Sequence, residues 1–339
     1  MVKEYSTSGI KIAIVGVGGG GCNTIKRLMD YGMSGPQLIA INTDRIHLDT
    51  IKQPAKKILI GQSITRGLGA GGYPDVAQKS AEASRPEIAA ALEDVDLVFL
   101  AAGMGGGTGT GAAPIVADIA KKNGALVISI VTYPFRIEKA RLTKAKEGIE
   151  QLKKVSDTLV IIDNQKLLDF VPNLPIEQSF MIADEITARA VRGISETLLH
   201  ASLINLDFAD LTATMTGGGI SMIAVGEGKG ISRVDEVVKN TLDHRLLDVD
   251  PSGAKGILLH ITGGPDMTLG DANTVGEMVT AEVDPHANVI YGARMDQSYL
   301  GRIEVIAIFT GLKEGEALRT IYGTEKKPKQ QESSHDLWY

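Results

Sequence analysis

The sequence predicts an α/β protein in which a parallel-sheet domain is joined by a long central helix to a smaller α+β domain with a mixed sheet. Three observations lead to this fold class. Apolar, β-branched runs alternate with helix-like segments through the first half of the chain, a long helical pattern occupies the middle, and strand-like runs lie close together after it. Alternation of strands and helices is typical of α/β folds.

The strands expected in the first half are short apolar runs: Lys11–Val17, Leu38–Asn42, Lys57–Ile60, Asp96–Ala101, Leu126–Val131 and Thr158–Ile162. Helical periodicity lies between several of them, near Cys22–Tyr31, Asp75–Leu92, Gly111–Lys122 and Glu138–Lys153. Continuous apolar strands with helical crossovers indicate a parallel sheet that is covered on both faces. In such sheets a ligand binds beyond the carboxyl ends of the strands.

The central helix is expected from about Gln178 to Leu203, where apolar residues recur at spacings of mostly three and four. The elements expected after it are strands at Gly219–Val225, Gly256–Thr262, Val289–Ala293 and Ile303–Thr310, and helices near Ile231–His244 and Thr268–Val283. We therefore divide the chain into a first domain (10–177), the central helix (178–204), a C-terminal α+β domain (205–315) and a flexible tail (316–339).

Composition excludes several classes of protein. The 339 residues include 35 Lys and Arg against 41 Asp and Glu, and the net charge of −6 argues against a nucleic-acid partner. A single cysteine, Cys22, excludes an intrachain disulfide and fits a reducing compartment. We find neither a secretory leader nor an apolar run of roughly 20 residues, so we expect a cytoplasmic protein without direct membrane insertion.

A glycine-rich turn, Gly16–Gly21, joins the first strand to the first helix. Bare backbone amides at a helix N-terminus can approach an anion, and the helix dipole favours negative charge there. The spacing Gly16-x-Gly18-x-x-Gly21, with Asp44 at the end of the second strand, also satisfies the dinucleotide fingerprint. The turn alone is therefore compatible with an NAD enzyme, a nucleoside triphosphate site or a tight turn without a ligand.

Two further glycine loops favour a triphosphate. Gly103–Gly111 follows a strand and opens another helix, at a crossover where a dinucleotide domain needs no second phosphate loop. The cluster Gly67–Gly72 could close over a terminal phosphate. The sequence has no GxxxxGK loop followed by Ser or Thr, so a triphosphate would be held mainly by amides, hydroxyls and a metal ion.

The run Gly105-Gly106-Gly107-Thr108-Gly109-Thr110-Gly111 resembles the tubulin signature in the form found in the FtsZ family, the prokaryotic tubulin relatives that build the cell-division ring. Further matches follow the family's order at Gly18–Asn23, Asn42–Asp44, Gly67–Gly72 and Asn205–Asp210, and similarity is traceable from about Ile10 to Leu312. Parts of the sequence resemble archaeal members of this family more than bacterial ones. The resemblance implies a tubulin-like fold and a self-assembling cytoskeletal GTPase that binds GTP, GDP and Mg²⁺.

The resemblance also implies a GTP site assembled from all the glycine loops. The first loop, Gly16–Gly21, would hold the diphosphate and sugar. The third, the cluster Gly67–Gly72, would cover the γ-phosphate, and the second, Gly103–Gly111, would bind phosphate from the other side. The residues assigned in this way are Gly18, Gly19, Gly20, Gly21, Asn23, Asn42, Asp44, Ala70, Gly71, Gly72, Gly103, Gly105, Gly106, Gly107, Thr108, Gly109, Pro134, Glu138, Arg141, Asn164, Phe180 and Asp184.

Two parts of this assignment have alternatives. Glu138 and Arg141 resemble the ribose-contacting acid and base of the family, but the segment is one residue shorter than in bacterial relatives, and a surface salt bridge is the alternative. Asn164, Phe180 and Asp184 would recognise the base, because an aromatic ring stacks on a purine and a carboxylate accepts from guanine N1–H and its amine. The alternative is a core phenylalanine and a solvated helix acid.

The catalytic residues implied by the resemblance are Asn205, Asp207 and Asp210, which follow the central helix. Read alone, two carboxylates at this spacing are compatible with a helix start or a metal site. A helix of about 25 residues is roughly 37 Å long, so they cannot reach the subunit's own nucleotide. The resemblance implies head-to-tail stacking, in which these acids orient the attacking water in the next subunit while Mg²⁺ neutralises phosphate oxygens.

The polar, proline-containing stretch Thr324–Asp336 is typical of a disordered tail, and the chain ends Leu337-Trp338-Tyr339. The resemblance implies that this end recruits a membrane-tether protein beneath the division site, and a frayed end is the alternative. Other functions also stay open: a tubulin-like paralogue for cell shape or plasmid segregation, a GTP-binding scaffold without hydrolysis, and, more remotely, an NAD(P)-dependent oxidoreductase.

Overall fold

The computed structural model describes residues 9–166, 176–200, 202–243 and 253–313 together with Leu318 and Tyr322, and it describes residues 176–180 by their backbone alone. The expected tail and the side chain of Phe180 lie outside this description.

Strands and helices alternate through the first half of the chain. The strands are β1 (Ile12–Val17), β2 (Gln37–Asn42), β3 (Lys56–Leu59), β4 (Leu97–Gly103), β5 (Leu126–Tyr133) and β6 (Thr158–Asp163). The helices are α1 (Gly18–Asp30), α2 (Arg45–Asp49), α3 (Gln62–Thr65), α4 (Pro74–Ala83), α5 (Arg85–Ala91), α6 (Thr108–Lys122) and α7 (Lys139–Val155). A 3-10 turn, Arg136–Glu138, leads into α7.

The second half begins with the long helix α8 (Ile176–Leu199). It is followed by helices α9 (Phe208–Met215), α10 (Arg233–Leu242) and α11 (Leu269–Thr280) and by strands β7 (Gly219–Lys229), β8 (Gly256–Gly263), β9 (Asn288–Met295) and β10 (Arg302–Thr310). The predicted elements occur in the predicted order with boundaries that differ by a few residues, and the structure adds the helices α2, α3 and α9.

The strands join in the order β3-β2-β1-β4-β5-β6-β7-β10-β8-β9. Neighbours from β3 to β7 are parallel, whereas β10 runs antiparallel to both β7 and β8. The predicted fold class, a parallel sheet followed by a mixed one, is confirmed. The two sheets are continuous, because Thr158–Val160 of β6 pairs with Gly219–Ser221 of β7.

Two helices differ from the prediction for reasons that the sequence contains. The first helix begins at Gly18 rather than Cys22, so the glycines form its first turn instead of a separate loop. The expected helix at Asp75–Leu92 is two helices that meet at Ser84. Pro86 lies in the first turn of α5 and has no N–H to continue the hydrogen-bond ladder of α4.

Both faces of the parallel sheet are covered. Helices α4 to α7 bury residues such as Ala77, Val116 and Ile149 on one face. Helices α1 and α8 cover the other face, where Ile25 and Ile194 join a core that also contains residues of β8 and β10. The long helix therefore packs against both halves of the sheet, and the carboxyl ends of β1, β4, β5 and β6 form one edge. Within the described ranges, we find no helix with the length and apolarity to cross a membrane.

Candidate functional site

A cavity of about 410 Å³ lies at the carboxyl edge of the parallel sheet. Its walls come from the turns after β1, β2, β4, β5 and β6 and from one face of α8. The lining residues are Gly19, Gly20, Asn23, His47, Gly103, Met104, Gly106, Gly107, Thr108, Gly109, Thr132, Pro134, Glu138, Arg141, Asn164, Ala183 and Asp184. The structure thus brings together most of the residues that the sequence assigned to a nucleotide site, at the place where parallel sheets bind ligands.

The glycines at the start of α1 allow two helix N-termini to meet at this cavity. A Cβ on Gly21 would lie 2.2 Å from the carbonyl oxygen of Ala101, and one on Gly18 would lie 2.7 Å from the amide nitrogen of Gly109. Gly18 also has a φ of +72°, which favours glycine. Only bare backbone fits here, so the first turns of α1 and α6 lie side by side. Two helix dipoles and their free amides make an anion site.

The cluster Gly67–Gly72 packs behind the loop Gly103–Gly111. A Cβ on Gly107 would lie 2.9 Å from the Cβ of Ala70 and 3.2 Å from the amide nitrogen of Gly72. Lys144 holds the cluster from outside by donating to the carbonyl oxygen of Gly72 at 2.7 Å. Ala70, Gly71 and Gly72 therefore border the loop Gly103–Gly111, although they do not line the cavity.

Glu138 and Arg141 both line the cavity and form an ion pair with each other at 2.5 Å. The other carboxylate oxygen of Glu138 accepts from the backbone N–H of Phe135 at 3.0 Å, which closes the 3-10 turn. The two interpretations of this pair are thus compatible: it is a salt bridge, and it lies on the wall of the cavity.

Asn164 and Asp184 form the end of the cavity that the sequence assigned to the base. Asn164 is 4% exposed, and within the described part of the chain its side-chain oxygen has no hydrogen-bond donor. Burial raises the pKa of Asp184 to about 7, against the opposing effects of Arg27 and of a hydrogen bond from Asn23. The Asp184 carboxylate, which is half-buried on the wall of the cavity, can accept from the two N–H donors on the edge of guanine, and Asn164 lines the same cavity.

Asn42 and Asp44 support the cavity without lining it. The Asp44 carboxylate accepts from the backbone N–H of His47 at 3.2 Å and caps α2. The Asn42 side-chain oxygen accepts from the backbone N–H groups of Thr43 and Asp44. Gly18, Gly21 and Gly105 likewise lie behind the lining, where they permit close backbone packing.

The acidic loop lies away from the cavity. Asp207 caps α9 by accepting from the backbone N–H of Ala209 at 3.0 Å, and Asp210 is exposed in the first turn of that helix. Asn205 accepts from the backbone N–H of Ser202 at 2.9 Å. From Asp184 to Leu199 the helix α8 rises about 22 Å, at 1.5 Å per residue, before this loop begins. None of the three lines the cavity.

Sequence reasoning missed four lining residues: His47, Met104, Thr132 and Ala183. Met104, Thr132 and Ala183 are neighbours in sequence of assigned residues, so a wider window would have included them. His47 has no such signal, because it lies on a short helix outside any motif. Among the described residues, no group of three or more His, Cys, Asp or Glu is placed to hold a metal ion.

Comparison with known proteins gives consistent matches. Residues 11–172 match the model of the Tubulin/FtsZ family, GTPase domain, and residues 219–313 match that of the FtsZ family, C-terminal domain. The chain is 57% identical over 322 residues to Cell division protein FtsZ 2 of Methanocaldococcus jannaschii, an alignment that covers 94% of this chain and 83% of that protein.

Solved structures agree. The structure described as "FtsZ dimer, empty", from M. jannaschii, has 46% identity and a TM-score of 0.87, and the match covers 90% of this chain and 89% of that one. CetZ2 of Haloferax volcanii, solved as a GTPγS-bound protofilament, has a TM-score of 0.75 with 21% identity, and the match covers 92% and 96% of the two chains. At that identity the likeness extends to the fold alone.

Proposed function

Because the chain belongs to the tubulin/FtsZ family and is a GTPase of that family, we propose that it assembles with GTP into cell-division filaments in which each subunit completes the hydrolytic site of its neighbour. Family membership decides against the oxidoreductase alternative. The proposal goes further in three respects: the division role, the assembly, and the sharing of the site between subunits.

The observation that carries the proposal is the separation of Asp184 from Asp207 and Asp210. The first lines the cavity, whereas the other two follow the far end of α8, which rises on the order of 22 Å from Asp184 to Leu199. A GTPase needs a group that orients the attacking water, and the residues that would do so cannot reach the cavity of their own subunit. A second copy of the chain can supply them.

The rim of the cavity supports docking of a second copy. Ile46 and Leu68 are each 77% exposed and Ile137 is 86% exposed; Ile46 and Ile137 adjoin the lining residues His47 and Glu138, and Leu68 lies in the cluster Gly67–Gly72 that packs behind the cavity loops. Large apolar side chains exposed together indicate an interaction surface. If the acidic loop of the next subunit covers this rim, the contact joins two different surfaces and repeats head to tail, which generates a filament.

In the proposed mechanism each group has one task. The amides at the starts of α1 and α6, with the Thr108 hydroxyl, bind the phosphates, and Asn164 and Asp184 bind the base. Asp207 and Asp210 of the neighbouring subunit accept hydrogen bonds from the attacking water and orient it toward the γ-phosphate. Mg²⁺ fits a site of amides and hydroxyls, since it is commonly held by phosphate oxygens and few protein ligands, and it would neutralise the phosphate charge.

The division role rests on the relatives. A protein named Cell division protein FtsZ 2 is 57% identical to this chain, and the FtsZ dimer structure is 46% identical. These identities favour a division protein over a paralogue for cell shape or plasmid segregation. We expect it to work in the cytoplasm at the division site.

A membrane-tether protein is the second partner that we propose. The apolar end Leu337-Trp338-Tyr339 follows a polar tail, and aromatic side chains are enriched among binding hot spots. Deletion of Ser333–Tyr339 should leave GTP hydrolysis and filament growth unchanged and abolish recruitment to the membrane in cells. Membrane-attached rings formed by the truncated protein would contradict this part of the proposal.

Assembly and phosphate release measured together test the proposed function. Light scattering and electron microscopy should show filaments with Mg²⁺ and GTP but not with NAD, and phosphate release per subunit should rise with protein concentration and then reach a plateau. A scaffold without hydrolysis would form filaments and release no phosphate. Turnover that is independent of concentration down to high dilution would mean that one subunit contains the whole site.

A further inference from the structure

His47 lies between two asparagine side chains at the edge of the cavity. Its Nδ1 is 3.3 Å from Nδ2 of Asn42, and its Nε2 is 3.3 Å from Oδ1 of Asn23. The imidazole also lines the cavity. No motif in the sequence singles out this histidine, yet it connects the turn after β2 with the first helix of the site.

The hydrogen bonds of Asn42 determine which nitrogen of His47 carries the proton. The Asn42 oxygen accepts from the backbone N–H groups of Thr43 at 2.9 Å and Asp44 at 3.2 Å, so the amide nitrogen must face the histidine. That nitrogen can only donate, so Nδ1 of His47 must accept. The proton of neutral His47 therefore lies on Nε2. Burial lowers the pKa of His47, which agrees with the neutral form.

The tautomer of His47 in turn fixes the orientation of Asn23. The Nε2–H group donates to the Asn23 oxygen, which leaves the Asn23 amide nitrogen to donate elsewhere. Asn23 and Asp184 both line the cavity, and the Asn23 side chain lowers the pKa of the Asp184 carboxyl, as a donor facing a carboxylate does. A chain of directed hydrogen bonds thus runs from the backbone at Thr43 through Asn42 and His47 to Asn23, whose amide nitrogen is left to donate to Asp184.

We propose that His47 is a positioning residue for base specificity, because it orients the amide of Asn23 so that Asn23 holds the Asp184 carboxylate toward the base. This inference rests on the proposed guanine site. An acceptor in place of His47 would attract the Asn23 amide nitrogen and so turn the Asn23 oxygen toward Asp184. Two acceptors would then face each other, and the carboxylate would move away from the position in which it accepts from the guanine 2-amino group.

The comparison of GDP with IDP measures this effect directly. Hypoxanthine has the N1–H and O6 of guanine but not the 2-amino group, so the ratio of the two dissociation constants reports the contact with that amine. Both ligands carry the same phosphates, so a change of charge near the phosphates cancels in the ratio. Binding measurements at low protein concentration also keep assembly out of the result.

The variants His47→Gln and His47→Glu form a matched pair of similar size. The glutamine retains a donor for the Asn23 oxygen, whereas the glutamate can only accept and draws the Asn23 amide nitrogen toward itself. We expect the glutamine variant to keep the wild-type preference for GDP over IDP. In the glutamate variant the preference should fall about two- to tenfold, the loss of one hydrogen bond. Asp49→Asn, an exposed change on the same helix, should leave the preference unchanged.

His47→Ala provides a second variant that lacks the donor and adds no charge; it leaves the Asn23 amide unfixed on this side, so its preference should fall, but less than that of the glutamate variant. Equal weakening of GDP and IDP in the glutamate and alanine variants, with an unchanged ratio, would mean that His47 is only structural and would overturn the inference. A ratio near one in the wild-type protein would contradict the guanine site itself and remove the inference with it. The two failures are therefore distinguishable.

Discussion

Thr43 and Thr108 join their side-chain hydroxyls by a hydrogen bond of 2.8 Å. Thr108 begins α6 and lines the cavity, whereas Thr43 lies in the turn after β2, and its backbone oxygen accepts from the N–H of Gly69 at 3.1 Å. The pair therefore connects the second glycine loop, the turn after β2 and the third glycine cluster. Loops from separate crossovers are held in one arrangement by contacts that secondary structure does not supply.

Replacement of Thr43 by valine should weaken GDP binding by about 0.5–1.5 kcal/mol, because the Thr108 hydroxyl loses its partner. This loss corresponds to about a two- to tenfold increase in dissociation constant, measurable by titration calorimetry. Thr43→Ser keeps the hydroxyl and serves as the control. Equal GDP affinity of the valine variant and the wild type would mean that the contact does not order the phosphate site.

Asp184→Ala should weaken GTP binding about tenfold to a hundredfold, the cost of a lost charge-assisted hydrogen bond of about 1.5–3 kcal/mol. The wild-type protein should bind ATP far more weakly than GTP, because adenine presents an acceptor at N1 where guanine presents a donor. The alanine variant should lose most of this preference. Competition binding of the two nucleotides provides the measurement, and equal affinities in the wild type would refute the assignment.

The affinity for GTP should depend on pH through Asp184. Burial raises the pKa of this carboxyl to about 7 without nucleotide, and donors on the base favour the carboxylate and lower the pKa in the complex. Affinity is therefore full above about pH 7 and falls up to about tenfold per unit as the pH drops below it, until the pKa of the complex is reached. Asp184→Asn should remove this dependence. A wild-type affinity that stays constant from pH 8 to pH 5.5 would exclude the mechanism.

The two roles of Asp207 can be separated by two substitutions. Asp207 caps α9, so Asp207→Ala should lower the free energy of unfolding by about 1 kcal/mol. Asp207→Asn keeps a capping oxygen and should have nearly wild-type stability. We expect both variants to bind GTP normally and to lose hydrolysis, because both lack the charge that orients the water. Thermal unfolding and phosphate release provide the two measurements. Normal hydrolysis by the asparagine variant would mean that Asp207 only caps α9 and has no role in hydrolysis.

The parts of the site that the sequence predicts are those made by the backbone. At Gly18, Gly21 and Gly109 two backbone segments approach so closely that a Cβ would clash, so each position requires glycine. In the sequence this requirement is visible as closely spaced glycines. Alternation of apolar runs likewise predicts the parallel sheet, because burial on both faces dictates composition. The glycine loops that line the cavity, and their position at this edge of the sheet, could therefore be predicted.

The parts that the sequence does not predict depend on side chains from distant segments. His47 lines the cavity from the short helix α2, which Asp44 caps, and contacts Asn23 of α1, a relation that no spacing in the sequence records. The break between α4 and α5 was missed because the helical period continues across Ser84, although Pro86 shows where the ladder ends. In the dinucleotide fingerprint Asp44 occupies the position of a ribose-binding acid, whereas in the structure its side chain caps α2.

The central claim, that each hydrolytic site is shared between subunits, can be tested by mixing two inactive variants. Asp207→Asn keeps its cavity and loses the acidic loop. Gly106→Asp keeps the acidic loop and places a carboxylate among the phosphate-binding amides, at a position where a Cβ would meet nothing within 4 Å. Co-pelleting of labelled variants shows whether they share filaments.

The measurement is phosphate release from the equimolar mixture. In mixed filaments, about a quarter of the interfaces pair an intact cavity with an intact acidic loop, so the mixture should recover about that fraction of wild-type turnover while each variant alone stays inactive. Turnover in the mixture no greater than the sum of the two separate variants, with co-pelleting confirmed, would contradict the shared site.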